Sequence, residues 1–365
     1  MATTSTPDES PDAKMTDEEY GNHRAAHALW AGTSVLITDA RGRVLIQHVD
    51  YLDTCLLPGG ALDRGEPPAR GAARELREEL GVTVAVERGL AVDWVSPGGM
   101  SAAAVMRFPG EIIHVFDGGT WDDARIAAIR LPPSEITAVE FVEPARLPGL
   151  LAPRDARRAL SALRARIDAA GTVLLADGAP LVPSVLDRAG ILRTPRPRHP
   201  YVFDPSPVPG PDTPIRQAWV WAFAPDGRVL VLLDPETGGA CLPGGVPEPA
   251  DGEDPVVTLR REAAEEAAAR LTGITYLGHL SDPGAGGTCV RYAARLTALG
   301  AAGTDPATGH PYTRVLATPE QALRLFDWGP AGADQLAAVH QARARLGLPR
   351  AAPQSVTELA GPTIW

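Results

Sequence analysis

The sequence predicts an α/β fold built twice along one chain. Runs of Val, Ile and Leu of strand length alternate with helical stretches rich in Ala, Leu and Glu. Three motifs recur in the same order. Gly42-Arg43-Val44-Leu45 returns as Gly227-Arg228-Val229-Leu230, and Leu57-Pro58-Gly59-Gly60 returns as Leu242-Pro243-Gly244-Gly245. Arg74-Glu75-x-x-Glu78-Glu79 returns as Arg261-Glu262-x-x-Glu265-Glu266. The offset is 185 residues for the first two motifs and 187 for the third, so two extra residues lie in the second loop. With 365 residues and 44% hydrophobic composition, two packed domains are feasible.

The expected organisation is a disordered tail over residues 1–28, a first domain over 29–170 and a Pro-rich connector over 171–214. A second domain over 215–350 and a surface tail over 351–365 complete it. In the first domain, Ser34–Gln47 reads as two strands around a turn at Arg41-Gly42. Strands are expected at 83–87, 89–94, 102–108, 112–116 and near Phe141, and a helix over Pro153–Ala169. In the second domain Trp219, Trp221 and Phe223 alternate along one strand face, where core packing is favoured over stacking on a base. Helices over Glu320–Phe326 and Gly332–Leu346 close the domain around a Phe326-Asp327-Trp328-Gly329 motif.

The chemistry concentrates in Pro58–Val82. A Pro-Gly-Gly turn leads into a helix that starts near Pro68, where proline suits the first turn, and stops at Gly81. At about 100° per residue, Ala69, Ala72, Ala73, Leu76 and Leu80 form the buried face. Glu75, Glu78 and Glu79 share an arc of about 100° beside it, with Arg74 at i, i+4 from Glu78. Crowded carboxylates repel unless a cation sits among them, and an all-oxygen donor set suits a hard ion, Mg²⁺ or Mn²⁺. The plain alternative is a solvated charged face neutralised by Arg74 and Arg77.

The full spacing resembles the Nudix hydrolase signature. Gly60, five residues, Glu66, seven residues, then Arg74-Glu75-Leu76-x-Glu78-Glu79-x-Gly81-Val82 match at nine positions with both gaps correct. The resemblance implies an α/β/α sandwich with a mixed sheet and hydrolysis of a nucleoside diphosphate linked to another group. It implies Glu75, Glu78 and Glu79 as metal ligands, with Arg74 and Glu66 orienting them, and Gly59 and Gly60 at the substrate. The family often adds an acid from a loop before a later strand. Glu135 is the candidate here, with Glu111 and Asp117 as competitors.

The second box, over 245–269, departs from the pattern. Seven residues separate Gly245 from Glu253, and Ala268 stands where the closing glycine belongs, so the helix is expected to run on. Glu262, Glu265 and Glu266 keep their spacing as metal ligands, and Gly244 and Gly245 keep theirs as the substrate turn. The matching loop near Gly309-His310 has no acid closer than Asp305, which points to the first box as the main catalytic centre.

Two other functions compete. One is a ligand-binding or regulatory module that uses the fold without turnover, above all in the second half. The other is a metal-dependent isomerase, which needs a protonating Cys or Tyr; Cys55 is the nearby thiol. The net charge of −11 argues against a nucleic-acid partner. The sequence before Asp17 reads as neither a signal peptide nor a membrane span, and three cysteines fit a reducing cytoplasm. The abundance of Ala, Arg, Pro and Gly suggests a bacterial source. A small diphosphate is the expected partner, with the two copies docked as an internal pseudo-dimer.

Overall fold

The computed structural model describes residues 16–25, 30–97, 110–132, 135–195, 201–207, 213–252, 254–281, 287–326, 328 and 330–365. The first sheet holds β1 (Trp30–Asp39), β2 (Val44–Val49), β3 (Gly89–Val95), β4 (Glu111–Trp121), β5 (Ile136–Val142), β6 (Val173–Ala176) and β7 (Ala179–Pro180). Their spatial order is β5-β2-β1-β4-β3-β6-β7, with β1–β4 and β3–β6 parallel and the other pairs antiparallel.

The second sheet holds β8 (Val202–Asp204), β9 (Ile215–Phe223), β10 (Val229–Asp234), β11 (Gly239–Cys241), β12 (Gly244–Gly245), β13 (Ala269–Ser281), β14 (Thr288–Leu299), β15 (Thr313–Ala317), β16 (Thr357–Glu358) and β17 (Thr363–Ile364). Its central order, β15-β10-β9-β14-β13, repeats β5-β2-β1-β4-β3 of the first sheet. The motif repeat is therefore a repeat of topology.

Period-two burial divides each sheet into two faces. In the first sheet Val35, Ile37 and Leu45 face the box helix Pro68–Leu80 and meet its Ala72, Leu76 and Leu80. Burying each leucine contributes roughly 1.5–3 kcal/mol. On the opposite face Leu36, Val44 and Ile46 pack with Ala159, Leu160 and Leu163 of the helix Pro153–Asp168. The second sheet sets Ala218, Val220 and Leu232 against the second box helix Pro255–Ala267. Its other face, with Trp221 and Phe223 fully buried, packs under the helix Pro319–Phe326. Trp219 is half-buried.

The two faces away from the box helices join in one continuous core. Polar links cross it. Gln321 Nε2 donates to the Asp168 carbonyl at 3.1 Å, and Asp168 Oδ1 accepts from the Val356 N–H at 2.7 Å.

Several expectations change. Residues 17–25 form a helix within the expected N-terminal tail. The connector is stitched into both sheets: β6 and β7 extend the first, β8 pairs with β13, and Leu186 and Ile191 are buried. Sheet pairing satisfies backbone groups that an extended connector would leave to water. The C-terminal stretch pairs through β16 and β17. Residues 83–87 are not a strand, although Val84 and Val86 are buried. The strand expected at 102–108 lies outside the described residues.

The second box helix does not run on. It stops at Ala267 because Ala268 itself turns left-handed, at φ 50°, as Gly81 does at φ 67° in the first copy. Alanine in that conformation costs about 1 kcal/mol relative to glycine. Ala268→Gly is therefore expected to stabilise the chain and raise the melting temperature by about 2 °C. An unchanged or lower melting temperature contradicts this account of the cap.

Candidate active site

The first site is assembled from the box helix and the turn before it. Gly59 sits at φ 137°, where a Cβ would fall 2.2 Å from the Thr33 carbonyl oxygen. The turn thus lies directly on β1, and Gly59 donates its N–H to Glu79 Oε2 at 2.9 Å. A Cβ on Gly60 would fall 2.6 Å from Glu75 Oε1. The close approach that the glycine pair permits is therefore taken up, in this conformation, by the protein's own carboxylates.

Arg74 gathers the others. Its Nε and Nη2 bond Glu66 at 3.1 and 2.9 Å, and Nη2 also donates to the Ala61 carbonyl at 2.9 Å. Its Nη1 bridges Glu75 Oε1 and Glu78 Oε2, both at 2.9 Å. Arg74's hydrogen bonds hold the Glu66 carboxyl below its usual range, whereas burial raises that of Glu75. Glu79 stands apart from the guanidinium. Burial pushes its pKa up to about 8, against the opposing bonds from Gln47 and Gly59.

Gln47 was not singled out by the sequence. It is 1% exposed on the box face of β2, and its Nε2 donates to Glu79 Oε2 at 3.0 Å. Its Oε1 has no hydrogen-bond partner. The available signal was an amide closing the apolar run Val44-Leu45-Ile46.

Among the loop acids, Glu135 is exposed, and its charge adds to the rise at Glu79. Asp117 is not part of this group: it pairs with Arg166 at 2.7 Å and Arg88 at 3.5 Å. Glu111 lies at the β4 end beside Gly32. Cys55 belongs to the core on the opposite sheet face, with its Sγ 3.5 Å from His48 Nδ1, so it does not join the carboxylates.

The second site repeats this construction with different parts. Gly244, at φ 145°, lies on the Ala218 carbonyl and donates to Glu266 Oε2 at 2.8 Å. Burial pushes Glu266 up to about 8 as well. A Cβ on Gly245 would fall 2.5 Å from Glu262 Oε1. Arg261 contacts Glu262 at 3.1 Å and Glu265 at 3.0 Å.

Two assignments here are corrected. The carboxylate that holds Arg261 is Asp251, through Nε at 3.1 Å and Nη2 at 3.0 Å. Asp251 keeps the five-residue gap from Gly245, so the insertion lies after it, in the loop that includes Glu253. Glu253 itself is outside the described residues. Asp305 also counts as a site acid. It is 3% exposed, accepts two bonds from Thr308 at 2.8 Å, and its charge raises both Glu262 and Glu266. At the position of Gln47 stands Leu232, so Glu266 lacks that second donor.

All-oxygen donors around a buried carboxylate that resists ionisation fit a hard divalent cation in both copies. Among the described residues no three such side chains are already drawn together tightly enough to hold an ion. In the first copy the Arg74 guanidinium bridges Glu75 and Glu78.

A family model of the NUDIX domain matches residues 29–163 and 213–328, more than half of the chain. The chain belongs to the Nudix family. The tandem arrangement agrees with the two matched segments, and the chain is a Nudix-type hydrolase. An RNA pyrophosphohydrolase of Brucella abortus is 30% identical over 155 residues, covering 39% of this chain and 86% of that protein. An ADP-ribose pyrophosphatase of Bacillus subtilis is 32% identical over 112 residues, 30% of this chain and 52% of that one. Among solved structures, a MutT NUDIX hydrolase from Burkholderia pseudomallei covers 38% of this chain and 97% of its own, at 24% identity and TM-score 0.29. Nudix hydrolases generally use divalent metals. No described helix is long and apolar enough to cross a membrane.

The raised carboxyls set a pH dependence. Between about pH 5 and 8 the folded chain keeps protons on Glu79 and Glu266 that the unfolded chain releases near pH 4.3. Without divalent ions, stability is fully present below that lower value and falls as pH rises through 8. The slope is up to about 1.4 kcal/mol per pH unit for each group. Urea unfolding in EDTA is expected to show a flatter slope for Glu79→Gln and for Glu266→Gln. Slopes parallel to wild type contradict the assignment.

Proposed function

We propose that this Nudix hydrolase uses Mg²⁺ or Mn²⁺ to cleave the diphosphate bond of a nucleoside diphosphate linked to another group, mainly at the first box. The observation that carries the reading is the geometry around Arg74 and Gly59, which sets three box carboxylates beside one glycine turn. Glu75, Glu78 and Glu79 would hold the metal. When bound, the ion would polarise phosphoryl oxygens and lower the pKa of an attacking water.

The chain's own residues do the rest. Glu66 fixes Arg74, and Arg74 orients Glu75 and Glu78. Glu79, or Glu135 whose charge acts on it, would accept the proton of the attacking water. Gly59 and Gly60 keep the turn low enough for phosphate to approach.

The second box is proposed to bind metal through Glu262, Glu265 and Glu266. Leu232 in place of Gln47 favours a reading in which that half binds ligand with little turnover. The named relatives point to two substrate types, RNA and ADP-ribose. The net charge of −11 favours the small diphosphate over a polyanion and accords with a cytoplasmic metabolic role. The shared core makes an internal pseudo-dimer the proposed arrangement of the halves.

A panel of nucleotide sugars, ADP-ribose, dinucleoside polyphosphates and 5′-triphosphorylated RNA, assayed with Mg²⁺, tests this reading. Glu78→Gln is expected to cut kcat about a hundredfold or more, with the fold intact, and Glu265→Gln much less. Full activity of folded Glu78→Gln contradicts the mechanism. Turnover of RNA alone contradicts the substrate class.

A further inference from the structure

The two halves line a half-open cavity of about 640 Å³ at the end of β1 away from the glycine turn. Thr38 and Asp39 line it, whereas Thr33 bonds the turn at Gly60; the five residue steps from Thr33 to Thr38 span about 17 Å along the strand. The cavity is therefore distinct from the first box. Its volume is that of a small-molecule site.

Its lining is charge-balanced, unlike the acidic chain as a whole: four arginines stand with Asp39, Asp117, Glu143 and Glu320. Arg41, Arg88 and Arg166 of the first half and Arg324 of the second all line it. Most of the carboxylates at its wall are committed. Asp39 accepts from the Arg41 and Arg43 N–H groups and pairs with Arg43 Nε. Glu320 pairs with Arg350 at 2.8 Å and His340 at 3.2 Å, and Glu143 has an interaction of its own. Asp117 is shared between Arg166 and Arg88, and Arg324 is exposed with no ion pair among the described residues.

Arg166 is the buried element. It is 8% exposed, its Nη1 donates to Thr38 Oγ1 at 3.0 Å, and its Nη2 contacts the Leu36 carbonyl and Asp117. Its Nε has no partner. Burial, together with the like charges of Arg324 and Arg88, pushes its pKa down against the pull of Asp117. An additional anion would relieve this repulsion. Leu163 and Ile167, on the helix of Arg166, together with Leu323 and Leu336 supply the apolar part of the lining.

We propose that this cavity is a second ligand site, taking a nucleotide whose phosphates meet arginines of both halves and whose base lies on the apolar part of the lining. Arginine forks suit phosphate oxygens, and the apolar lining suits a ring. Because Arg88 and Arg324 come from different halves, the bound molecule would clamp one against the other.

Calorimetric titration of the full chain with ADP in EDTA tests the site without any requirement for turnover. Wild type is expected to show a binding event whose Kd rises at least tenfold in Arg324→Ala and in Arg88→Ala. Both arginines are exposed, so the melting temperatures should stay near wild type. The same event should persist in Glu78→Gln/Glu265→Gln, which separates it from ADP at the boxes. No event at millimolar ADP overturns the proposal, as does an affinity indifferent to both arginine variants. Loss of the event only in the glutamate variant also overturns it.

Discussion

The bond from a glycine N–H to a buried glutamate anchors each half. Gly59 meets Glu79 and Gly244 meets Glu266, each at the point where the turn is pressed onto a strand carbonyl. That single contact fixes the distance between helix and sheet and places the last box carboxylate out of water. Both consequences follow from the absence of a Cβ. A side chain at either position would have to occupy space already held by Thr33 or Ala218. The rest of the site hangs from this joint, since Arg74 and Arg261 can gather their carboxylates only if the helix lies this close.

The repeat, the box helices and their buried faces were legible because they are periodic and local. Leu76 and Leu80 announce a helix face, and Pro68 and Gly81 announce its ends, through rules that act within a few residues. What escaped depends on contacts distant in sequence. Gln47 matters only because β2 passes under Glu79, 32 residues later. Asp305 matters because its loop folds back toward Glu262 and Glu266. Asp251 was missed because Glu253 matched the residue type, whereas the chain conserved the spacing from the turn and accepted a shorter acid. Ala268 misled for an energetic reason. Propensity favours continuing the helix, but closure onto β13, which begins at Ala269, outweighs about 1 kcal/mol of strain.

The connector shows the same balance. Its proline content suggests an extended spacer, yet Val173–Ala176 pairs between β3 and β7 of the first sheet and Val202–Asp204 forms an edge strand of the second. With the core continuous across both halves, and Asp168 bonded to the Val356 N–H, the tandem copies are one packed unit rather than beads on a string. The two carboxylate clusters thus lie apart from a cleft between the halves where four arginines stand with four carboxylates.

The central claim is that each glycine-anchored carboxylate cluster is a divalent-ion site. The most direct measurement is an electron paramagnetic resonance titration of Mn²⁺ into wild type, Glu79→Gln and Glu266→Gln. Each variant is predicted to lose the ions of its own half and keep those of the other. Equal Mn²⁺ stoichiometry in all three proteins, or none in wild type, would contradict it.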